Sequence, residues 1–307
     1  MENTPKTYHT ATIGQSTDLQ GFSFWTDFGL LVKFRLSMLV VITSLGAFYI
    51  SSGLNMSLIQ VIVLGLGGFL ITAASNIINQ VLEKDFDALM NRTNRRPIVQ
   101  KKLTVSTAVL MAGLFCLSGI TLLALFNPIT SFFGMFAFVL YAFVYTPLKR
   151  YSRVAVFVGA IAGAMPMLIG SVAFFGGLTE LGICLFLIQL AWQFPHFWSI
   201  AFLSFEDYDR AGFNFIPKDE ENQIDKSIAT SSIVYAIVLL AITAYMFMTN
   251  VIGLFGLVAL LLVCGSYLVY SVQFYRLYDA GSAKKLMLSS FAFIPMVLII
   301  LIIDLLF

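Results

Sequence analysis

Nine runs of apolar residues, separated by short polar breaks, follow one another from residue 37 to residue 306. They cover residues 37–51, 58–78, 106–125, 129–145, 154–174, 178–202, 228–248, 252–272 and 286–306. A helix needs about 20 apolar residues to cross a bilayer, where the lack of water obliges each backbone amide to pair within its own helix. The pattern therefore predicts an all-α polytopic membrane protein with nine transmembrane helices.

The amino-acid composition also indicates that the lipid bilayer surrounds most of the chain. Of the 307 residues, 59% are apolar and only 11% are charged, whereas about a quarter of the residues of a soluble domain are charged. We expect residues 30–307 to form a single membrane domain in contact with the lipid bilayer, and we expect no nucleic-acid partner.

The polar stretch 1–29 predicts a disordered cytoplasmic tail. It has neither the apolar core of a secretory signal nor the arginine-rich, acid-poor character of a mitochondrial transit peptide. A bacterial cytoplasmic (inner) membrane is therefore the expected location.

The 18 basic residues fall in alternate breaks between the runs, as the positive-inside rule requires of cytoplasmic loops. They precede the first run and follow the second, fourth, sixth and eighth, while the other breaks contain none. This alternation predicts a cytoplasmic N-terminus and a periplasmic C-terminus. All the acidic residues except Glu180 and Asp304 fall on the cytoplasmic side, so we expect the chemistry at that end of the bundle.

The break after the second run carries more charge than orientation requires. Asn79, Glu83 and Asp87 are spaced i, i+4, i+8, which places them on one face of a helix that leaves the membrane. An amide oxygen and two carboxylates are hard ligands of the kind that suits Mg²⁺ when substrate phosphates also hold the ion.

Three arginines follow within nine residues of Asp87: Arg92, Arg95 and Arg96. Their planar guanidinium groups match the geometry of phosphate oxygens. A solvated loop that only orients the protein is the alternative. The aligned face favours a magnesium diphosphate site instead.

The spacing of Asn79, Glu83 and Asp87 resembles the N-x-x-x-[DE]-x-x-x-D signature of the UbiA-type intramembrane prenyltransferases. Residues 85–97, 145–150 and 192–212 are similar, more narrowly, to the branch of that family that farnesylates protohaem IX. The resemblance extends from about residue 32 to the last helix and implies nine helices and one enzyme domain.

The resemblance also implies roles for particular residues. The first acidic motif, Asn79, Glu83 and Asp87, would hold Mg²⁺ together with the diphosphate. Lys149, after the fourth helix, would contact the diphosphate, and the neighbouring Arg150 is a further candidate. Many members have D-x-x-x-D as a second metal motif, but here Leu203 stands four residues before the best second acid, Asp207. Glu206 or Asp209 could take its place.

The reaction implied by the resemblance joins farnesyl diphosphate to a vinyl group of protohaem IX (haem B), with water adding at the neighbouring carbon. The products are haem O, a cofactor precursor of haem-copper oxidases, and pyrophosphate. Haem O could then pass to haem A synthase or to a terminal oxidase. Mg²⁺ and basic side chains would stabilise the charge that develops on the leaving group, and the bilayer would keep the carbocation away from water.

His196 is the only histidine outside the tail and lies in an aromatic stretch, W-Q-F-P-H-F-W. A neutral imidazole can ligate haem iron, so we predict that His196 binds the haem. A hydrogen bond between helices is the alternative. If the sixth helix continued as far as Asp207, eleven residues on, the two side chains would lie near the same face.

The sequence is compatible with three other functions. Prenylation of an aromatic acid for quinone synthesis is the nearest alternative reaction. A transporter would need ionisable groups near the membrane midplane, and the centres of the apolar runs contain almost none. A non-enzymatic assembly factor would not need the aligned acids.

Overall fold

The computed structural model describes residues 23–306, and this part of the chain is helical throughout apart from its loops and one isolated bridge between Lys218 and Ile224. The helices are α1 (Phe24–Leu31), α2 (Phe34–Ser51), α3 (Leu58–Asp87), α4 (Val105–Ala124), α5 (Pro128–Val139), α6 (Thr146–Leu148), α7 (Ala155–Phe175), α8 (Glu180–Leu203), α9 (Phe205–Arg210), α10 (Ser227–Met248), α11 (Leu254–Leu277) and α12 (Ala280–Asp304). A π-helical stretch, Leu140–Tyr145, joins α5 to α6.

Nine spans within residues 23–306 are long and apolar enough to cross a membrane, counting Pro128–Leu148 as one. The predicted all-α class and the nine spans are therefore confirmed. The second span differs most from its prediction, because α3 continues nine residues beyond the apolar run 58–78 and ends at Asp87. No glycine or proline interrupts residues 79–87, so nothing in that stretch breaks the helix.

The spans pack mainly against their neighbours in sequence, and α7 is the most buried of them. It lies against α2, α5 and α8, while α12 packs on both α8 and α2 and so brings the last span back to the first. The contact between α2 and α7 depends on Gly170, because a Cβ there would collide with the carbonyl oxygen of Ser44. Small residues of this kind let helix backbones approach closely in a membrane.

All basic residues of the described part lie at one end of the bundle, which we call the basic end. The helix α1 lies there, just before the first span. It includes residues 24–29, which the sequence placed in a disordered tail, while residues 1–22 of that tail fall outside the described range. The Asp27 carboxylate, 1% exposed, stabilises α1 by accepting hydrogen bonds from the Ser23 amide and from Lys102 Nζ at 2.7 and 3.2 Å.

At the opposite end, Asp304 joins the last turn of α12 to the start of α11. Its two carboxylate oxygens accept hydrogen bonds from the backbone amides of Gly253 and Gly256, each at 2.7 Å. The carboxylate thus satisfies two amides that have no partner within α11 and lies at the positive end of the helix dipole. This contact gives a structural role to one of the two acids outside the basic end.

We expect Asp304→Ala to lower the free energy of unfolding by about 1 kcal/mol, the usual effect of losing a carboxylate at a helix N-terminus. The midpoint of thermal unfolding in detergent measures this loss. Glu221→Ala is the matched control, since the Glu221 side chain is exposed and forms no ion pair or side-chain hydrogen bond with the described residues. Equal midpoints for the two variants would contradict the role assigned to Asp304.

Candidate functional site

The last two turns of α3 carry three buried polar side chains on one face. Asn79, Glu83 and Asp87 are 1%, 2% and 0% exposed, and Asn79 Nδ2 donates a hydrogen bond to Glu83 Oε2 at 2.9 Å. The prediction that these residues share a helix face is confirmed. Asp85, between the two acids, is exposed on the other side of the helix.

Each of the two buried acids faces a base from another part of the chain. Lys149 Nζ, just beyond α6, lies 2.5 Å from Glu83 Oε1, and Arg96 in the α3–α4 loop forms an ion pair with Asp87. Burial by itself lowers the pKa of Lys149, but the Glu83 carboxylate outweighs burial and raises that pKa above its ordinary value. A buried carboxylate without such a partner would be costly, so these two contacts tie both segments to α3.

Lys33 is a third base at this site, and nothing in the sequence marks it beyond its contribution to orientation. It is the N-cap of α2 and has a left-handed backbone, with φ 48°. Its Nζ donates to Asn79 Oδ1 at 3.0 Å. Burial, followed by the positive charge of Arg96, holds the pKa of Lys33 well below its ordinary value. Three bases thus face two carboxylates at this site, and an anionic ligand would favour the charged form of Lys33.

The backbone that presents Lys33 is held by two side-chain amides of α3. Gln80 Nε2 donates to the carbonyl oxygens of Leu30 and Leu31, both at 2.8 Å, and Asn76 Nδ2 donates to that of Val32 at 3.2 Å. We call residues 30–33 the α1–α2 elbow. Because both amides come from the helix that carries the acids, the elbow and the acids are positioned together.

The donors at this site fit a magnesium ion. Asp87 Oδ1 is buried without a hydrogen-bond partner, and Glu83 Oε1 has no hydrogen bond of good geometry although Lys149 lies opposite it. With Asn79 Oδ1 they make a set of hard oxygen donors. No three Asp, Glu, His or Cys side chains converge within residues 23–306, so these donors would need phosphate oxygens or water to complete a coordination shell.

Asp207, the predicted second acid, lies across from the loop between α3 and α4. We call this loop, which carries Arg92, Arg95 and Arg96, the arginine loop. The helix α8 ends at Leu203 and the chain turns at Ser204 before α9, so the helix does not continue to Asp207. The expected common face of His196 and Asp207 is therefore absent. Asp207 Oδ1 instead accepts hydrogen bonds from the Asn91 amide and from Arg210, both at 3.4 Å.

Asp207 and Arg92 line one open cavity of about 660 Å³ at the basic end. Arg92 Nη2 donates to the Tyr208 hydroxyl at 2.8 Å, which joins the arginine loop to α9. Burial opposes the charge of Arg92, but Tyr208, Asp207 and Asp87 together raise its pKa. Arg92 thus lies within electrostatic reach of both acidic motifs.

The other predicted residues lie apart from this centre. Arg95 is exposed and has no ion pair or hydrogen bond with the described residues, and Glu206 is exposed as well. The Arg150 guanidinium lies 3.9 Å from the centre of the Phe86 ring and donates to the Leu82 carbonyl, on the neighbouring face of α3. Asp209 pairs with Lys218. Contacts with phosphate by Arg95 and Arg150 stay predictions that this geometry does not favour.

His196 lies within α8, seven residues before the end of the helix, or about 10 Å from it at the helical rise. Its Nδ1 is 2.7 Å from the hydroxyl oxygen of Ser290 in α12, and its ring stacks on Trp192 with the centroids 4.8 Å apart. The imidazole is thus well inside the bundle relative to the acids and bases of the basic end.

Comparisons with known proteins agree with this architecture. The UbiA prenyltransferase family matches residues 40–296. A protoheme IX farnesyltransferase of Flavobacterium psychrophilum is 37% identical over 296 residues, which cover 92% of this chain and 95% of that protein. Another, of Cytophaga hutchinsonii, is 34% identical over 279 residues, which cover 89% of this chain and 96% of that protein.

Solved structures show the same fold at low sequence identity. A digeranylgeranylglyceryl phosphate synthase has a TM-score of 0.75 at 15% identity, covering 91% of this chain and 97% of that one. A UbiA homolog from Archaeoglobus fulgidus, bound to GPP and Mg²⁺, has a TM-score of 0.63 at 15% identity, covering 90% and 99%. The family match, the curated relatives and the fold all confirm the resemblance first indicated by Asn79, Glu83 and Asp87, and this chain belongs to the UbiA prenyltransferase family.

Proposed function

We propose that this chain transfers the farnesyl group of farnesyl diphosphate to a vinyl group of protohaem IX, with addition of water, and releases haem O and pyrophosphate. The observation that carries the proposal is the convergence of three bases from separate segments on the acidic face of α3. The curated relatives named protoheme IX farnesyltransferase support protohaem as the acceptor. They do not favour the alternative of an aromatic acid in quinone synthesis.

The buried ion pairs suggest how the diphosphate is accommodated. Asn79, Glu83 and Asp87 would hold Mg²⁺, with Asp207 as the acid of a second site. When bound, the metal neutralises charge on the diphosphate and so favours departure of pyrophosphate. Lys149 and Arg96 would turn from the carboxylates to phosphate oxygens, so every buried charge stays compensated as the substrate enters. Arg92, near both acidic motifs, would assist them.

The reaction then depends on the dry interior of the bundle. Breaking the carbon–oxygen bond leaves an allylic cation, which the apolar spans separate from bulk water until the vinyl group attacks. Attack moves the positive charge to the neighbouring vinyl carbon, where one water adds and loses a proton. We assign His196 to binding of the porphyrin acceptor. It lies deeper in the bundle than the basic end, where the diphosphate would bind, so the porphyrin would lie further inside.

The location and orientation are part of the proposal. Residues 30–307 would form one membrane domain in a bacterial cytoplasmic membrane, with the N-terminus and the basic end in the cytoplasm and the C-terminus in the periplasm. The alternation of basic residues between spans supports this orientation. Haem O would leave for a haem A synthase or a terminal oxidase.

The direct test is to incubate the purified protein with haem B, farnesyl diphosphate and Mg²⁺. We expect mass spectrometry to detect the farnesylated, hydrated haem, and chelation of the metal to abolish its formation. Hydroxybenzoate supplied in place of haem is the control acceptor. A prenylated hydroxybenzoate without any haem O would assign the chain to quinone synthesis instead.

Glu83→Gln and Asp87→Asn should each reduce turnover by at least about a hundredfold, since each removes a charged oxygen ligand and leaves a base unpaired. Asp85→Asn is the matched control, because Asp85 lies on the exposed side of the same turn and should retain activity. Turnover is measured by haem O formation, and folding by monodispersity in detergent. Activity of either buried variant equal to that of Asp85→Asn would overturn the metal-site assignment.

Lys33→Gln should raise the KM for farnesyl diphosphate about tenfold, the effect of one lost hydrogen bond to a charged group. The affinity for haem B, measured by titration, should not change. Arg35→Gln is the control, since Arg35 is exposed two residues further on. If Lys33→Gln weakened haem binding instead of diphosphate binding, Lys33 would belong to the acceptor side or to the fold.

A further inference from the structure

One buried serine of α12 contacts two aromatic rings of α8. Ser290 is 0% exposed, and its hydroxyl oxygen lies 2.7 Å from His196 Nδ1. Its backbone carbonyl accepts a hydrogen bond from Trp192 Nε1 at 2.9 Å. A single residue therefore holds both members of the stacked Trp192–His196 pair.

The two contacts of the Ser290 hydroxyl favour one tautomer of His196. The serine hydroxyl has one hydrogen, and it donates that hydrogen to the Met287 carbonyl at 2.6 Å. With its hydrogen directed to the Met287 carbonyl, the serine oxygen accepts toward His196, and this arrangement favours Nδ1 as the donor. In a neutral imidazole this leaves the lone pair on Nε2.

Neighbouring side chains fix the plane of the imidazole as well as its tautomer. The Trp192 and His196 rings lie within 16° of parallel, and the Phe291 ring meets His196 edge-on with the centroids 5.5 Å apart. Trp192 is itself anchored, since the Tyr267 hydroxyl donates to its backbone carbonyl at 3.1 Å. No described residue forms a hydrogen bond with His196 Nε2.

We propose that Ser290 is a positioning residue that sets the Nδ1–H tautomer of His196, so that Nε2 ligates the iron of the porphyrin acceptor. This inference rests on the proposed function with protohaem as the substrate. Histidines that ligate metals usually donate their second N–H to a partner that fixes the tautomer and the ring orientation, and Ser290 provides that partner. The iron–imidazole bond would fix the height of the porphyrin in the bundle and so present one vinyl group to the farnesyl cation.

A merely structural role predicts different behaviour. If the His196–Ser290 contact only joined α8 to α12, removing the hydroxyl would lower stability without changing the spectrum of bound haem. The bond between Trp192 and the Ser290 carbonyl already joins these helices and survives a change of the serine side chain. The electronic spectrum of the haem iron therefore distinguishes the two roles.

The experiment titrates haem B into the purified protein and records the Soret band and the electron paramagnetic resonance signal of the ferric haem. The wild type should show imidazole ligation, and His196→Ala should lose it. Ser290→Ala should shift the spectrum and weaken haem binding by about tenfold or more, the range for loss of a group that orients a metal ligand. Farnesyl diphosphate binding, measured separately, should stay unchanged in both variants.

Ser289→Ala is the matched control, because the only hydrogen bond of the Ser289 hydroxyl with the described residues is to the Leu286 carbonyl, and this variant should leave the haem spectrum as in the wild type. If Ser290→Ala does not fold, Ser290→Cys gives the same comparison with a weaker acceptor. Wild-type-like spectrum and affinity in the Ser290 variant would overturn the positioning role. Haem O formation by a wild type that lacks imidazole ligation would overturn the inference alone, whereas failure to make haem O would refute the proposed function.

Discussion

The structure depends first on the burial of two carboxylates, Glu83 and Asp87, at the end of one long helix. Two such charges are tolerated in the interior only because bases from outside the helix lie against them. Lys149 comes from the segment after α6, and Arg96 comes from the loop after α3 itself. These ion pairs, together with buried apolar loop residues such as Met90 and Ile98, hold the loops at the basic end in place. The oxygens that we propose as magnesium ligands therefore belong to the same carboxylates that hold these segments together.

Much of this architecture could be predicted from the sequence. Runs of apolar residues gave the nine spans, because the bilayer leaves the backbone of an apolar segment few alternatives to a helix. The four-residue spacing of Asn79, Glu83 and Asp87 gave their common face, because α3 continues without a break. Both inferences rest on local periodicity, which a sequence records directly.

What the sequence could not provide depends on contacts between distant segments. Lys33 looked like an orienting charge, and only the left-handed turn at the elbow brings it to Asn79. Arg150 was a further candidate beside Lys149, yet one helical step places it on the Phe86 ring. The turn at Ser204 removed the expected alignment of His196 with Asp207. Ser290 carried no signal, since serine in a membrane helix usually bonds only its own backbone.

The way in which the elbow is held has a consequence for how the family varies. Asn76 and Gln80 bind the carbonyl oxygens of residues 30–32, and every amino acid has such an oxygen. Substitutions at these three positions would leave the hydrogen bonds intact, so the backbone conformation of this segment can persist while its amino-acid sequence changes. Selection would act instead on Asn76 and Gln80, whose side-chain amides donate these hydrogen bonds from about fifty residues further along the chain. The backbone conformation of this segment would therefore be retained among relatives whose sequences here no longer resemble one another.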